Sequence, residues 1–171
     1  YMLAGGQWAP TDNYYLRWGN EPVTYFAFYP VTEGTSVANF SLPINQQSLE
    51  NLASADYMTC TVEDAINEGS GVLHLNMNRR MAKVIMTLDD IDSQSKALGV
   101  KIGSYQGYTD GNVSSGTALV SPYVTIPEGG KAGQSGCKYT AIVAPGAANP
   151  NSTFVSLNYK GEDLSLIHIS E

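Results

Sequence analysis

Apolar residues in this chain recur with a period of two, over short runs broken by Gly, Pro and Asn. That period puts successive side chains on opposite faces of an extended strand, whereas a helix would need a spacing of three to four. The runs predict strands over Asn13–Trp18, Val23–Tyr29, Val37–Leu42, Val72–Asn78, Ala82–Leu88, Gly99–Gly103, Thr117–Val120, Tyr123–Ile126, Lys138–Ala144 and Thr153–Tyr159. Pro30, Pro122, Pro127 and Pro145 fall at the edges of these runs, where a missing N–H is tolerated. Only Ser48 to Asn67 reads differently. Ser48–Leu52 and Thr61–Ile66 could each make a helical turn or two, below the ~12–15 residues at which an isolated helix becomes marginal. Strands throughout, with frequent turn signals, predict an all-β protein of sandwich architecture. The Gly- and Asn-containing stretch Asn67–Gly71 is the expected junction between two strand-rich halves.

Two runs carry more detail. In Val23–Tyr29 both faces are apolar, which predicts a strand covered on both sides. From Val72 to Leu88 the apolar set begins at odd positions (Leu73, Leu75, Met77) and continues at even ones (Ala82, Val84, Met86, Leu88). A one-residue offset turns every side chain to the other face, so a bulge or turn is expected around Asn78–Met81. Leu73, Leu75 and Met77 are expected to face the core of the second half, with Tyr139, Ala141 and Val143 on an equivalent inner face.

Composition narrows the function classes. The formal charge of −7 opposes binding to a phosphate backbone, and no apolar run approaches the roughly 20 residues a membrane-spanning helix needs. Charged residues make up 15%, low for a soluble chain, while 11 Tyr and 17 Gly fit an extracellular β-protein. The last eight residues, Leu164–Glu171, match the translation of a transposase mosaic-end sequencing adapter and are read as non-native. Setting Glu171 aside changes the acidic count from 16 to 15 and the charge from −7 to −6, and leaves His74 as the only histidine. On that reading the chain is a piece of a longer protein, cut at both ends.

Catalytic motifs are thin. Gly133-Gln134-Ser135-Gly136-Cys137 misses the G-x-S-x-G spacing of a nucleophile elbow at its last position. A Ser-His-Asp triad would have to use His74, which sits mid-strand opposite the apolar face. Asp89, Asp90 and Asp92 lack the glycine and glutamate of a calcium loop and read as a solvated turn, as do Asp110-Gly111-Asn112 and Glu128-Gly129-Gly130. Cys60 and Cys137 could pair in an oxidising compartment, worth about 4 kcal/mol for so long a loop, if their α-carbons come close enough. Two Cys and one His fall short of a zinc site without carboxylates. No catalytic, metal or cofactor-binding residue is expected, and no cofactor.

Several stretches together resemble the fimbrillin-like proteins of Bacteroidales, subunits and accessory proteins of type V pili. Tyr15-Leu16-Arg17-Trp18 and Val23–Pro30 are similar to the family's tryptophan strand and aromatic strand. Gln47-Ser48 and Ala55–Cys60 follow, with Cys60 where the family has alanine. Val72–Val84 resembles its central signature, Met77 replacing an aromatic residue and Arg79 a histidine. Tyr139–Pro145 and Phe154 to Gly161 resemble its C-terminal strands.

The resemblance implies two transthyretin-like β-sandwich domains, both incomplete. Residues 1–68 would hold the end of the first, 69–163 most of the second, and 164–171 the adapter. It also implies a structural or adhesive subunit of a surface fimbria, exported through the outer membrane as a lipoprotein precursor. Its partners would be other pilus subunits, joined by donor-strand exchange, with surface glycans or proteins as further ligands of an adhesive member. The alternative is a carbohydrate-binding surface lipoprotein that uses exposed aromatic side chains such as Trp8 and Trp18.

Overall fold

The computed structural model describes residues 2–4, 7–9, 20–66, 73–91, 97–146, 153–159 and 162–166. Its strands are β1 Met2–Ala4, β2 Gln7–Ala9, β3 Val23–Tyr29, β4 Phe40–Ser41, β5 Met58–Ala65, β6 Asn78–Arg79, β7 Ala82–Thr87 and β8 Ala97–Tyr105. They continue with β9 Gly107–Thr109, β10 Asn112–Val113, β11 Thr117–Val120, β12 Tyr123–Thr125, β13 Lys138–Val143, β14 Val155–Tyr159 and β15 Glu162–Leu166. One short helix, α1 Leu49–Ser54, lies among them. The protein is all-β, and the pairings with a defined register are antiparallel.

The chain forms two compact units, Tyr1–Phe26 with Thr61–Asn76, and Ala27–Cys60 with Met77–Glu171. The boundary falls inside β3 and β5. The first unit contains the β1–β2 pair, in which Met2 stands opposite Ala9. The second contains sheets ordered β11-β8-β14-β15, β12-β13-β7 and β10-β9-β4. Its main hydrophobic cluster joins Ile102 and Val120 of the first of these sheets to Ala141, Ile142 and Val143 of the next, with Phe40, Leu42, Ala55 and Tyr57 from the earlier stretch. Apolar residues from two sheets meeting in one cluster are the physical content of a β-sandwich. A second cluster gathers Leu88, Ala97, Val100, Cys137, Tyr139 and Leu157.

Most predicted strands form, shortened or lengthened by a residue or two, but Val37–Leu42 shrinks to Phe40–Ser41. Asn13–Trp18 lies outside the described residues. Thr61–Ile66 is the clearest difference: it makes no helical turn, Thr61–Ala65 being the end of β5, whose start pairs with β6 through Met58–Arg79 and Thr59–Asn78. Thr59, Thr61 and Val62 are β-branched, and a ladder satisfies more of their main chain than one isolated helical turn could. The other expected turn does form. Ser48 caps α1 by accepting from the Asn51 N–H at 3.1 Å, and Glu50 sits in its first turn.

The parity change between Leu73 and Leu88 is present. Leu73, Leu75 and Met77 are half-buried and alternate with exposed His74, Asn76 and Asn78, yet residues 73–77 join no ladder. Asn78, Arg79 and Arg80 are exposed in succession, the chain bends at Met81, and β7 restarts with the even residues inward. The expectation that Leu73, Leu75 and Met77 enter the core of the second half is therefore corrected: Leu73 and Leu75 fall in the first unit, and among the described residues none of the three belongs to either cluster. The inward places are taken by Ala82, Val84 and Met86, opposite Val143, Ala141 and Tyr139. β3 is also not covered on both faces, since Tyr25 is buried but Phe26 is 61% exposed.

Turn chemistry behaves as expected. Asp110 and Gly111 have φ of 49° and 77° and join Thr109 to Asn112, as a two-residue type I′ hairpin requires. Gly107 is needed for a different reason. Its φ is 134°, and a Cβ there would stand 2.0 Å from the Phe40 carbonyl oxygen.

Candidate functional site

β11 runs in the four-stranded sheet, and after the buried Pro122 the chain re-enters as β12 of the neighbouring sheet. A strand that changes sheets leaves a gap at the start of the ladder it joins. Continuing the β12–β13 register would put Ser121 opposite Ile142, but Ser121 turns to the earlier stretch instead. It donates its N–H to Ile44 O (2.7 Å) and accepts from Gln46 N (2.9 Å), forming a parallel bridge with Asn45.

The Gln46 side chain, 0% exposed, fills the gap. Its Oε1 accepts from Ile142 N (2.8 Å), and its Nε2 donates to Ile142 O (2.8 Å) and to Pro43 O (3.0 Å). Two residues on, Ser104 Oγ accepts from Ala144 N (3.0 Å) and donates to Tyr105 O (2.8 Å). Side chains thus finish a ladder that main chain begins. Lys101 Nζ donates to Ser121 Oγ at 2.5 Å, holding β8 to the same corner.

Beyond this corner lies an apolar groove of about 490 Å³. β7 contributes Ala82 and Val84, β8 Gly103 to Tyr105, and β11 Thr117 to Leu119. Val143 to Gly146 close one end, and Thr153 with Phe154 another. Among the described residues no Asp, Glu, Lys or Arg lines it. Glycine makes part of its wall possible. A Cβ on Gly103 would sit 2.5 Å from Thr153 O, and one on Gly146 2.3 Å from the Tyr105 ring. Among the described residues, β7 and β11 are each the outer strand of their sheets, so both present free main-chain edges beside the groove.

Around Tyr57 lies a denser polar and aromatic arrangement. Its ring stacks on Phe40 at 4.6 Å, its hydroxyl donates to Ser36 O at 2.8 Å, and Tyr108 tilts against it at 5.4 Å. The Arg80 guanidinium lies 5.3 Å from the centre of the Tyr108 ring, whose hydroxyl donates to Arg80 O. Burial pushes the Tyr57 phenol above its ordinary value; Arg80 pulls it down and Tyr108 raises it further. Burial also raises Tyr139, with Cys137 adding to the effect and a main-chain bond from Gly133 opposing it.

The remaining sequence candidates are dispersed. His74 is exposed. Ser135 has a structural place, because its hydroxyl accepts from Ile91 N (2.7 Å) and donates to Ile91 O (3.1 Å). Asp89 and Asp90 are exposed at a bend where Asp90 has φ 54°, and Asp92 lies outside the described residues. Among the described residues no group of His, Cys, Asp or Glu is placed to hold a metal ion. Cys60 and Cys137 are buried free thiols, so no bridge joins them. Trp18 and the Trp8 side chain fall outside the described structure. Arg79 pairs with Asp56 at 2.9 Å on an exposed surface. Gln46 was not legible as a special residue: one glutamine beside another in a polar stretch gives no periodic signal.

Comparison with known proteins gives one match. A family model described as fimbrillin-like matches residues 1–171. No curated protein and no solved structure matches the chain.

Proposed function

The chain belongs to the fimbrillin-like family, and from that premise we propose that it is a structural or adhesive subunit of a cell-surface fimbria assembled by donor-strand exchange. The observation that carries this reading is the uncharged apolar groove of about 490 Å³ bordered by two outer strands. Strand addition needs those parts: main-chain donors and acceptors give affinity, and a groove takes alternate side chains. Catalysis needs converging polar groups, and the polar side chains placed here are spent on main-chain bonds. The partners on this reading are other pilus subunits. The location is the outer surface, reached as a lipoprotein precursor, and the architecture is two transthyretin-like sandwiches. Electron microscopy of the purified protein from its uninterrupted reading frame tests it. Filaments are expected; a protein that stays monomeric at all concentrations, with no strand-exchanged complex, rules the reading out.

A further inference from the structure

The groove has two candidate edges, and the bonding pattern separates them. Gln46 engages both main-chain groups of Ile142, so these point away from β7, and the pair Ile142–Lys83 exchanges no ladder bonds. Antiparallel pairs alternate, so Val143–Ala82, Ala141–Val84 and Tyr139–Met86 are bonded while Thr140–Ile85 and Lys138–Thr87 are not. The N–H and C=O of Lys83, Ile85 and Thr87 therefore all point outward from β7. On β11, Gln106 N donates to Gly116 O, which by the same alternation leaves Thr117 and Leu119 pointing outward. The next outward position there is Ser121, and Ile44 and Gln46 already occupy it. The β11 edge is blocked after two residues, while β7 offers three.

The side chains agree. Ala82, Val84 and Met86 are only half-buried although their partners Val143, Ala141 and Tyr139 are buried, so among the described residues their outer flank is incompletely covered. Lys83, exposed beside that flank, is a cation on a chain of net charge −7. Resting on the donor-strand reading above, we infer that β7 is the edge that receives the partner strand. That strand, from another subunit, carries apolar side chains on the face beside Ala82, Val84 and Met86 and an acidic side chain next to Lys83. Opposite charges across neighbouring strands are favourable, and like charges are not.

The edge can be blocked without touching the ladder beneath it. Ile85→Pro removes an N–H that points outward, a substitution that edge strands tolerate, and Leu119→Pro does the same on β11. The probes are three blocked seven-residue peptides alternating valine with threonine, the central threonine replaced by glutamate, glutamine or lysine. Binding is measured by fluorescence anisotropy, with circular dichroism confirming the fold of each variant. The unsubstituted protein is expected to bind the glutamate peptide roughly two- to fivefold tighter than the lysine peptide at low salt. Ile85→Pro should lose at least about tenfold in affinity and Leu119→Pro should not, while Lys83→Glu, which leaves every ladder bond in place, should reverse the charge preference. Loss confined to Leu119→Pro, or an unchanged preference in Lys83→Glu, overturns the choice of β7 and leaves strand exchange standing. Failure of every peptide overturns both.

Discussion

Gln46 stands opposite Ile142 as a strand would, its carboxamide exchanging two 2.8 Å bonds with that residue's N–H and C=O. Its three side-chain bonds all reach main chain, and Gln46 and Ile142 are both buried. Truncation removes the partner and leaves two main-chain groups without one in a dry place, which costs more than the bonds themselves contributed. Gln46→Ala should lower unfolding free energy by about 2–4 kcal/mol, read as a fall in urea midpoint at unchanged m-value. A loss below half a kcal/mol would mean that water or Ser121 takes over the gap. Gln46→Glu should be at least as damaging, since it brings a carboxylate into the core and an acceptor against the Ile142 carbonyl.

Gly107 tests the close approach of β4 to β9. Its φ of 134° disfavours any L side chain, and an added Cβ would meet the Phe40 carbonyl at 2.0 Å. Gly107→Ala should therefore cost about 3 kcal/mol or more, combining backbone strain with displacement of β4. Gly111→Ala, with φ 77° but open space around it, should cost only about 1 kcal/mol. Thermal melts of the two variants check the order. Equal losses would show that conformation alone, and not the Phe40 contact, sets the requirement.

Much of this architecture was legible because strands announce themselves by parity. Ala82, Val84 and Met86 share one face of their run and Tyr139, Ala141 and Val143 one face of theirs, and the two strands pair with these residues opposite each other. The offset near Asn78–Met81 was readable for the same reason. What parity does not show is whether an extended run finds a partner. Leu73–Met77 alternates as well as any strand, but no ladder takes it up. Nor does parity decide a run that carries both periods: Met58, Cys60 and Val62 alternate, but Val62, Ala65 and Ile66 fall at helical spacing, which is why Thr61–Ile66 reads as a helical turn in sequence. The groove was legible only as an expectation of the family, because its walls come from five separate stretches. The Gln46 bond to Ile142 depends on a strand changing sheets at Pro122, a tertiary event with no local signature.

Leu75 and Ile102 separate half-burial from core. Ile102 is 0% exposed in the main cluster, so Ile102→Asp should abolish soluble expression, since an unpaired carboxylate would displace packed methyl groups. Leu75 is half-buried and outside both clusters. Leu75→Asp is therefore expected to cost about 1–2 kcal/mol and to leave a folded protein. Comparable insolubility of the two variants would place Leu75 in a core.

Tyr57 and Tyr139 make stability fall at high pH. Burial raises both phenols above the ordinary value of 10.0, so each binds its proton more tightly folded than unfolded. Their contribution is complete below the unfolded value and is lost as pH rises from there through the folded value. The urea midpoint should hold steady up to about pH 9 and decline above pH 10. Tyr139→Phe should flatten part of that decline while keeping the ring in its cluster with Leu88 and Val100. Tyr57→Phe should flatten it too, but from a lower starting stability, because the bond to Ser36 O disappears at every pH. A decline above pH 10 that neither substitution changes would assign the loss to lysine deprotonation.

β15 offers a test of the last eight residues. Among the described residues it pairs with β14 alone, setting Leu164 opposite Leu157, Ser165 opposite Ser156 and Leu166 opposite Val155, while β14 is independently paired with β8. Two leucines spaced by one residue extend any sheet edge, whatever the origin of the segment, so the pairing is indifferent to whether Leu164–Glu171 is native. If these residues are adapter-derived, a chain ending at Asp163 should keep its unfolding midpoint within about 0.5 kcal/mol, since an exposed edge makes few contacts that a sheet requires. A loss of about 2 kcal/mol or more would instead show that the segment contributes to the sandwich. Urea titration of the two lengths side by side decides between these outcomes.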